Sequence, residues 1–127
     1  NTLRNGVFLT GGDITGDGFA EVIVGGGPGG GPRVFALDGA DLVASGGTQQ
    51  TPRANFFFGD TSARGGIRVA VVNFDGDNHA DLVLGAGEGD GSGVSVFAGT
   101  TLAAEAEPSP LHSFDAFPGL IGGVYVG

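Results

Sequence analysis

The chain contains no cysteine, no methionine and no tryptophan, only one tyrosine, and all five of its cationic side chains are arginine. Each absence excludes something. Without cysteine there is no disulfide framework, no thiolate metal site and no thiol catalysis. Without lysine there is no Walker-type phosphate loop. Five arginines against 14 acidic residues leave a net charge of −9, and no basic patch for nucleic acid or an anionic membrane surface. No apolar run approaches the ~18 residues of a membrane span, and no signal peptide is visible. The chain does not open on methionine, from which we expect a mature, excised or engineered piece of a protein.

What is abundant is glycine, at 28 of 127 positions, about three times the usual ~7%. Collagen is excluded, because the glycines follow no G-X-Y period and proline is scarce. A disordered linker is excluded too: 40% of the residues are apolar and ten are phenylalanine. Short β-strands separated by glycine turns remain.

An internal repeat organises the chain. The stretch GDITGDGFAEVIVGGGPGGGPRVFALDG from Gly12 aligns without gaps on VNFDGDNHADLVLGAGEGDGSGVSVFAG from Val72, at an offset of 60. Identities include Gly16/Gly76, Asp17/Asp77, Gly25/Gly85, Val34/Val94 and Gly39/Gly99. The register runs back to Asn5-Gly6-Val7 against Gly65-Gly66-Ile67. It begins a third time at Gly122-Gly123-Val124-Tyr125-Val126. The expected organisation is a unit over residues 1–60, a second over 61–121, and a stub of a third over 122–127.

Each unit reads as four strands. In the first they are Val7–Thr10, Glu21–Val24, Arg33–Leu37 and Ala54–Phe58; in the second, Ile67–Val72, Asp81–Leu84, Val94–Phe97 and Leu111–Phe114. All are β-branched or aromatic runs bounded by Gly, Pro or Asp. Thr101–Glu107 has helix-forming composition, but Pro108 limits it to a turn or one fragment of helix. Four-strand units at this period predict an all-β fold of β-propeller blades. A sandwich of eight similar strands is the competing architecture. The acidic loop recurring at one place in both units favours blades.

That loop carries the chemistry. It runs Asp13-Ile14-Thr15-Gly16-Asp17-Gly18-Phe19-Ala20-Glu21 and then Asn73-Phe74-Asp75-Gly76-Asp77-Asn78-His79-Ala80-Asp81, with oxygen-bearing side chains at positions 1, 3, 5 and 9 of both. Alternating oxygens, a backbone carbonyl at position 7 and a closing carboxylate converge on a hard cation. Three carboxylates per loop (Asp13, Asp17 and Glu21; Asp75, Asp77 and Asp81) repel one another without a counter-ion. Ca²⁺ suits six or seven ligands on a flexible loop better than Mg²⁺, and an all-oxygen set disfavours soft metals. An EF-hand is excluded, since position 12 is Val24 or Leu84 instead of glutamate. Position 6, Gly18 or Asn78, is expected at positive φ. The bland alternative is that Asp, Asn and Gly simply make good turns.

The pattern D-x-(D/N)-x-D-G-x-x-(D/E), followed by Val22-Ile23-Val24-Gly25-Gly26-Gly27 in a sixty-residue unit, resembles the FG-GAP/VCBS-type repeats of integrin-α-like propellers. The resemblance implies Ca²⁺ in the loop between the first two strands of a blade. The implied ligands are Asp13, Thr15, Asp17, the Phe19 carbonyl and Glu21, then Asn73, Asp75, Asp77, the His79 carbonyl and Asp81. It also implies an extracellular or cell-surface setting and a role in recognition, of proteins or of glycans. The scarcity of Trp and Tyr disfavours sugar stacking.

Other features read as structural. Gly25–Pro32 is a hairpin connection instead of a phosphate loop, since no lysine or following helix accompanies it. The His79 ring is expected to face solvent, and His112 to be partly exposed. Phe56, Phe57, Phe58, Phe114 and Phe117 read as core between blades. No Ser-His-Asp constellation is present, so an enzyme is not expected. Propellers have 4–8 blades, so two per chain imply a fragment or a head-to-tail homo-oligomer, with a trimer or tetramer favoured. The stub is expected to add a first strand to a neighbour's blade or to complete its own.

Overall fold

Apolar residues alternate with glycine-bounded turns along both halves of the chain, and the computed structural model folds each half into a four-stranded antiparallel meander. The described residues are 5–127, so the first four residues of the expected first unit lie outside them. The first sheet takes β1 (Val7–Gly12), β2 (Glu21–Gly26), β3 (Arg33–Leu37) and β4 (Pro52–Phe57) in spatial order. The second repeats this with β5 (Ile67–Val72), β6 (Asp81–Ala86), β7 (Gly93–Phe97) and β8 (His112–Asp115). The chain is thus mostly β, as its composition predicts.

The sixty-residue offset survives in the hydrogen-bonded register. Val7 pairs with Gly26 as Ile67 pairs with Ala86, and Val22 pairs with Leu37 as Leu82 pairs with Phe97. At the fourth strand the offset falls to 58: Arg33 pairs with Phe57, but Gly93 pairs with Asp115.

Two short helices bridge the third and fourth strands, α1 (Gly39–Ser45) and α2 (Gly99–Ala104). The first was not expected from the sequence, although its signals are present. The Asp38 carboxylate accepts from the Asp41 N–H as an N-cap, and Gly46 ends the helix at φ 63°. Arg53 on β4 donates to the same carboxylate at 2.5 Å. The N–H of Asp41 and the Arg53 guanidinium together hold the buried Asp38 carboxyl below its ordinary range. The second helix has Ala98 at its cap and no side-chain bond there; it is held by Leu102, which is fully buried.

The sheets stack front to back. From the first come Ile23, Val34, Ala36, Ala54 and Phe56; from the second, Ile67, Val69, Leu82, Leu84 and Phe97. Phe97 is the pivot, its ring centroid 5.6 Å from Phe56 and 5.1 Å edge-on from Phe58. A Cβ on Gly25 would overlap the Ile67 carbonyl oxygen, so this strand must be glycine where the second sheet crosses it.

The other face of the first sheet is left open. Val7 is 55% and Leu9 64% exposed, whereas the same register positions in the second sheet, Ile67 and Val69, are 4% and 6% exposed. The expected phenylalanine core is corrected by the same geometry. Phe56 is buried and Phe58 half-buried, but Phe57 lies on the open face of the first sheet. Phe114 and Phe117 are exposed beyond the second.

Residues 122–127 form no strand. They lie against the second sheet much as β5 begins against the first. The Gly29 N–H donates to Arg64 O and Gly66 N–H to Gly30 O; correspondingly Gly89 N–H donates to Ile121 O and Gly123 N–H to Gly91 O. Phe8, Arg68 and Tyr125 therefore fall at one repeated position. The Phe8 and Tyr125 rings meet edge-on at 6.3 Å, and the Arg68 guanidinium packs against both, 5.5 Å from the Phe8 centroid and 4.1 Å from that of Tyr125.

Candidate metal centre

Each acidic loop joins the first and second strands of its sheet, so its two ends are pinned by a β-ladder. Gly12 pairs with Glu21, and Val72 with Asp81. This places the last acidic residue of each loop at the root of a strand, and both Glu21 and Asp81 are fully buried. A buried carboxylate needs donors, and the loop supplies them in the same pattern twice. Glu21 accepts from the N–H groups of Ile14 (2.8 Å) and Thr15 (3.2 Å). Asp81 accepts from those of Phe74 (2.7 Å) and Asp75 (3.3 Å). The Gly99 N–H adds a third bond to Asp81, at 3.0 Å. Gly39 and Gly99 recur because a Cβ on either would overlap the carbonyl oxygen of Ala20 or Ala80.

Asp13 opens the first loop by gathering backbone donors: Gly16 at 2.6 Å, Asp17 at 3.1 Å and Gly18 at 2.8 Å. Desolvation pushes its carboxyl up, but these bonds outweigh it and the net displacement is downward. In the second loop Asn73 takes that place and accepts from Gly76 N–H at 2.7 Å. Phe19 and His79 enter through their N–H groups, which donate to Asp17 and Asp77 at 2.8 and 2.7 Å.

Carboxylate oxygens of Asp13, Asp17 and Glu21 lie within 4.8 Å of one another, and so do those of Asp75, Asp77 and Asp81. Each group is close enough to hold one metal ion, and the donor sets, carboxylates with hydroxyl or amide oxygen, fit a hard cation. Thr15 accompanies the first group, its hydroxyl 3.4 Å from both Asp13 and Glu21. Burial, with Asp17 nearby, raises the Glu21 carboxyl above its ordinary range even though Thr15, Ile14 and Gly39 donate to it. A cation beside it would reverse that displacement.

Two expectations about these loops are corrected. The sharp turn lies at position 4, where Gly16 and Gly76 have φ of 76° and 82°; of the two residues at position 6, Gly18 turns at φ 90°, but Asn78 does not adopt positive φ. The His79 ring does not face solvent. Its Nδ1 lies 3.1 Å from the Ile14 carbonyl, and the ring packs against Gly16, tying the second loop to the first. The Ala80 N–H donates to Asp13 O at 2.7 Å across the same contact. Sequence reading also passed over Ile14, which fills this junction at 0% exposure, while its counterpart Phe74 stands in solvent. His112 is exposed, 5.5 Å from the Phe74 ring.

No protein-family model, curated protein or solved structure matches this chain.

Proposed function

We propose that the chain is a non-enzymatic, calcium-binding pair of β-propeller blades that serves as a structural and recognition scaffold and completes its ring by self-association. The observation that supports the cation is the duplicated loop: three gathered carboxylates, one of them buried and bonded to the loop's second and third N–H groups, at equivalent places in both sheets. The front-to-back stacking supports blades over a sandwich. A sandwich buries the inner faces of two sheets, whereas here each sheet uses a different register face, and the terminal segment lies on the second sheet much as the second sheet lies on the first. Ca²⁺ is the ion of choice because the loops offer more oxygens than Mg²⁺ accepts from protein. The proposed setting is outside the cell or at its surface, where calcium modules hold the ion with a Kd of about 10⁻⁴–10⁻³ M.

Thermal melting in Ca²⁺ and in chelator tests this reading. At a hundredfold excess over Kd each site adds about 2.7 kcal/mol. Glu21→Gln and Asp81→Asn each remove about half of the resulting rise in Tm. Equal melting in both buffers would overturn the cation.

One observation favours a second reading, a carbohydrate-binding blade pair. A groove of about 620 Å³ runs between the sheets, lined among others by Phe58, Asp60, Arg64, Asp90 and Ser95. Its size suits a small ligand. Saturable binding on a glycan array, lost in Asp90→Ala, would establish this reading over the first.

A further inference from the structure

We infer that the open face of the first sheet, centred on Leu9, is a docking surface for a second copy of this chain, which presents the outer face of its second sheet. The inference rests on reading the two sheets as blades and names the surfaces that join them between chains.

The internal stack supplies the template. Ile67 and Val69 are buried because the face of the first sheet carrying Ile23 and Val34 covers them. Their register counterparts, Val7 and Leu9, present the same apolar pattern and, among the described residues, are left exposed. The covering face has its own counterpart sixty residues on, around Val83 and Val94. The chain thus carries both halves of one interface at opposite ends: the half on the first sheet is exposed, and the half on the second, where Val94 is 7% exposed, is covered by the chain's own terminal segment. Such a contact is heterologous, and copies add head to tail.

The terminal segment occupies part of the place. A Cβ on Gly25 would overlap Ile67 O, and one on Gly85 would meet Val124 O at 2.5 Å. Val124 and Val126 therefore lie where Val7 and Leu9 of an incoming copy would lie. They hold it without forming a strand, whereas β1 is paired along all six residues. An arriving copy displaces residues 122–127, and their removal strengthens association.

Internal geometry also picks a cross-link. A Cβ on Gly12 would lie 3.2 Å from Val71 Cβ, near the ~3.5–4.5 Å of a disulfide. Between copies the equivalent pair is Val72 and Gly11, both exposed, in a chain without cysteine.

Light scattering of the full chain across concentrations is expected to give the mass of two or more chains. Leu9→Asp reduces it to one, weakening association at least about a hundredfold while the circular dichroism is unchanged. Mixing Gly11→Cys with Val72→Cys chains under mild oxidation gives a linked pair that neither variant gives alone. Deleting residues 122–127 shifts association to lower concentration; a shift the other way overturns the displacement. A single-chain mass at every concentration, or cross-linking no better in the mixture than in either variant alone, overturns the docking surface. If Leu9→Asp fails to fold, the cysteine pair decides. Cross-linking without any effect of chelator on melting would leave the docking surface standing and remove the calcium. A chelator effect without cross-linking would do the opposite.

Discussion

Val7 and Leu9 in the first sheet hold the register positions of Ile67 and Val69 in the second, yet one pair stands in solvent and the other is sealed. Ile14 and Phe74 differ in the reverse sense: the first loop's apolar plug is buried, the second's exposed. Local sequence explains neither difference. Each of these four positions is buried only where the adjoining unit covers it, and the two sheets lack a neighbouring sheet on opposite sides. A repeat unit specifies its own ladder but borrows half of its core from the next one.

The difference can be broken at its centre. Phe97→Ala removes the ring that meets Phe56 and Phe58 and is expected to cost about 3–5 kcal/mol. Leu37→Ala, the same register position in the first sheet, costs less than about 1.5 kcal/mol in the single chain, because no second sheet lies over it. Urea denaturation of both variants at low concentration measures the gap. Equal costs would mean that the two sheets are equally supported, contrary to their packing.

The helices provide a smaller contrast. Asp38 caps α1 and pairs with Arg53, while α2 has alanine at its cap and depends on Leu102. Asp38→Ala is expected to cost about 1–2 kcal/mol, read as a fall in the urea midpoint. The smallest effect is in acid. The Asp38 carboxyl lies below its ordinary 3.8 in the folded chain, so the unfolded chain binds the proton first as pH falls. Its contribution is complete above pH 3.8 and is lost as pH drops through the lowered value. Wild type should therefore lose stability more steeply than Asp38→Ala across that window. Parallel pH profiles would show that the cap carries no titratable stabilisation.

The strands and the loop positions were legible from sequence because their signals are local: β-branched runs bounded by glycine, and carboxylates at fixed spacing. β1 extends beyond Thr10 to Gly12 because pairing with Glu21 and Val22 carries the ladder past the last apolar residue. The helix at Gly39–Ser45 escaped notice since a glycine start and a short length resemble loop, although Asp38 and Gly46 marked its ends. The exposure of Phe57 and Phe114, the inward turn of His79 and the burial of Arg68 depend on which surfaces meet. No periodicity encodes that.

The packing around Arg68 has an optical consequence. Tyr125 is the chain's single tyrosine, and there is no tryptophan. Its ring lies over a guanidinium that is itself buried and whose Nε has no hydrogen-bond partner among the described residues. The near-ultraviolet tyrosine emission of the whole molecule thus arises from one spot, where the terminal segment meets the second sheet. Lifting that segment away would change the signal without any added label.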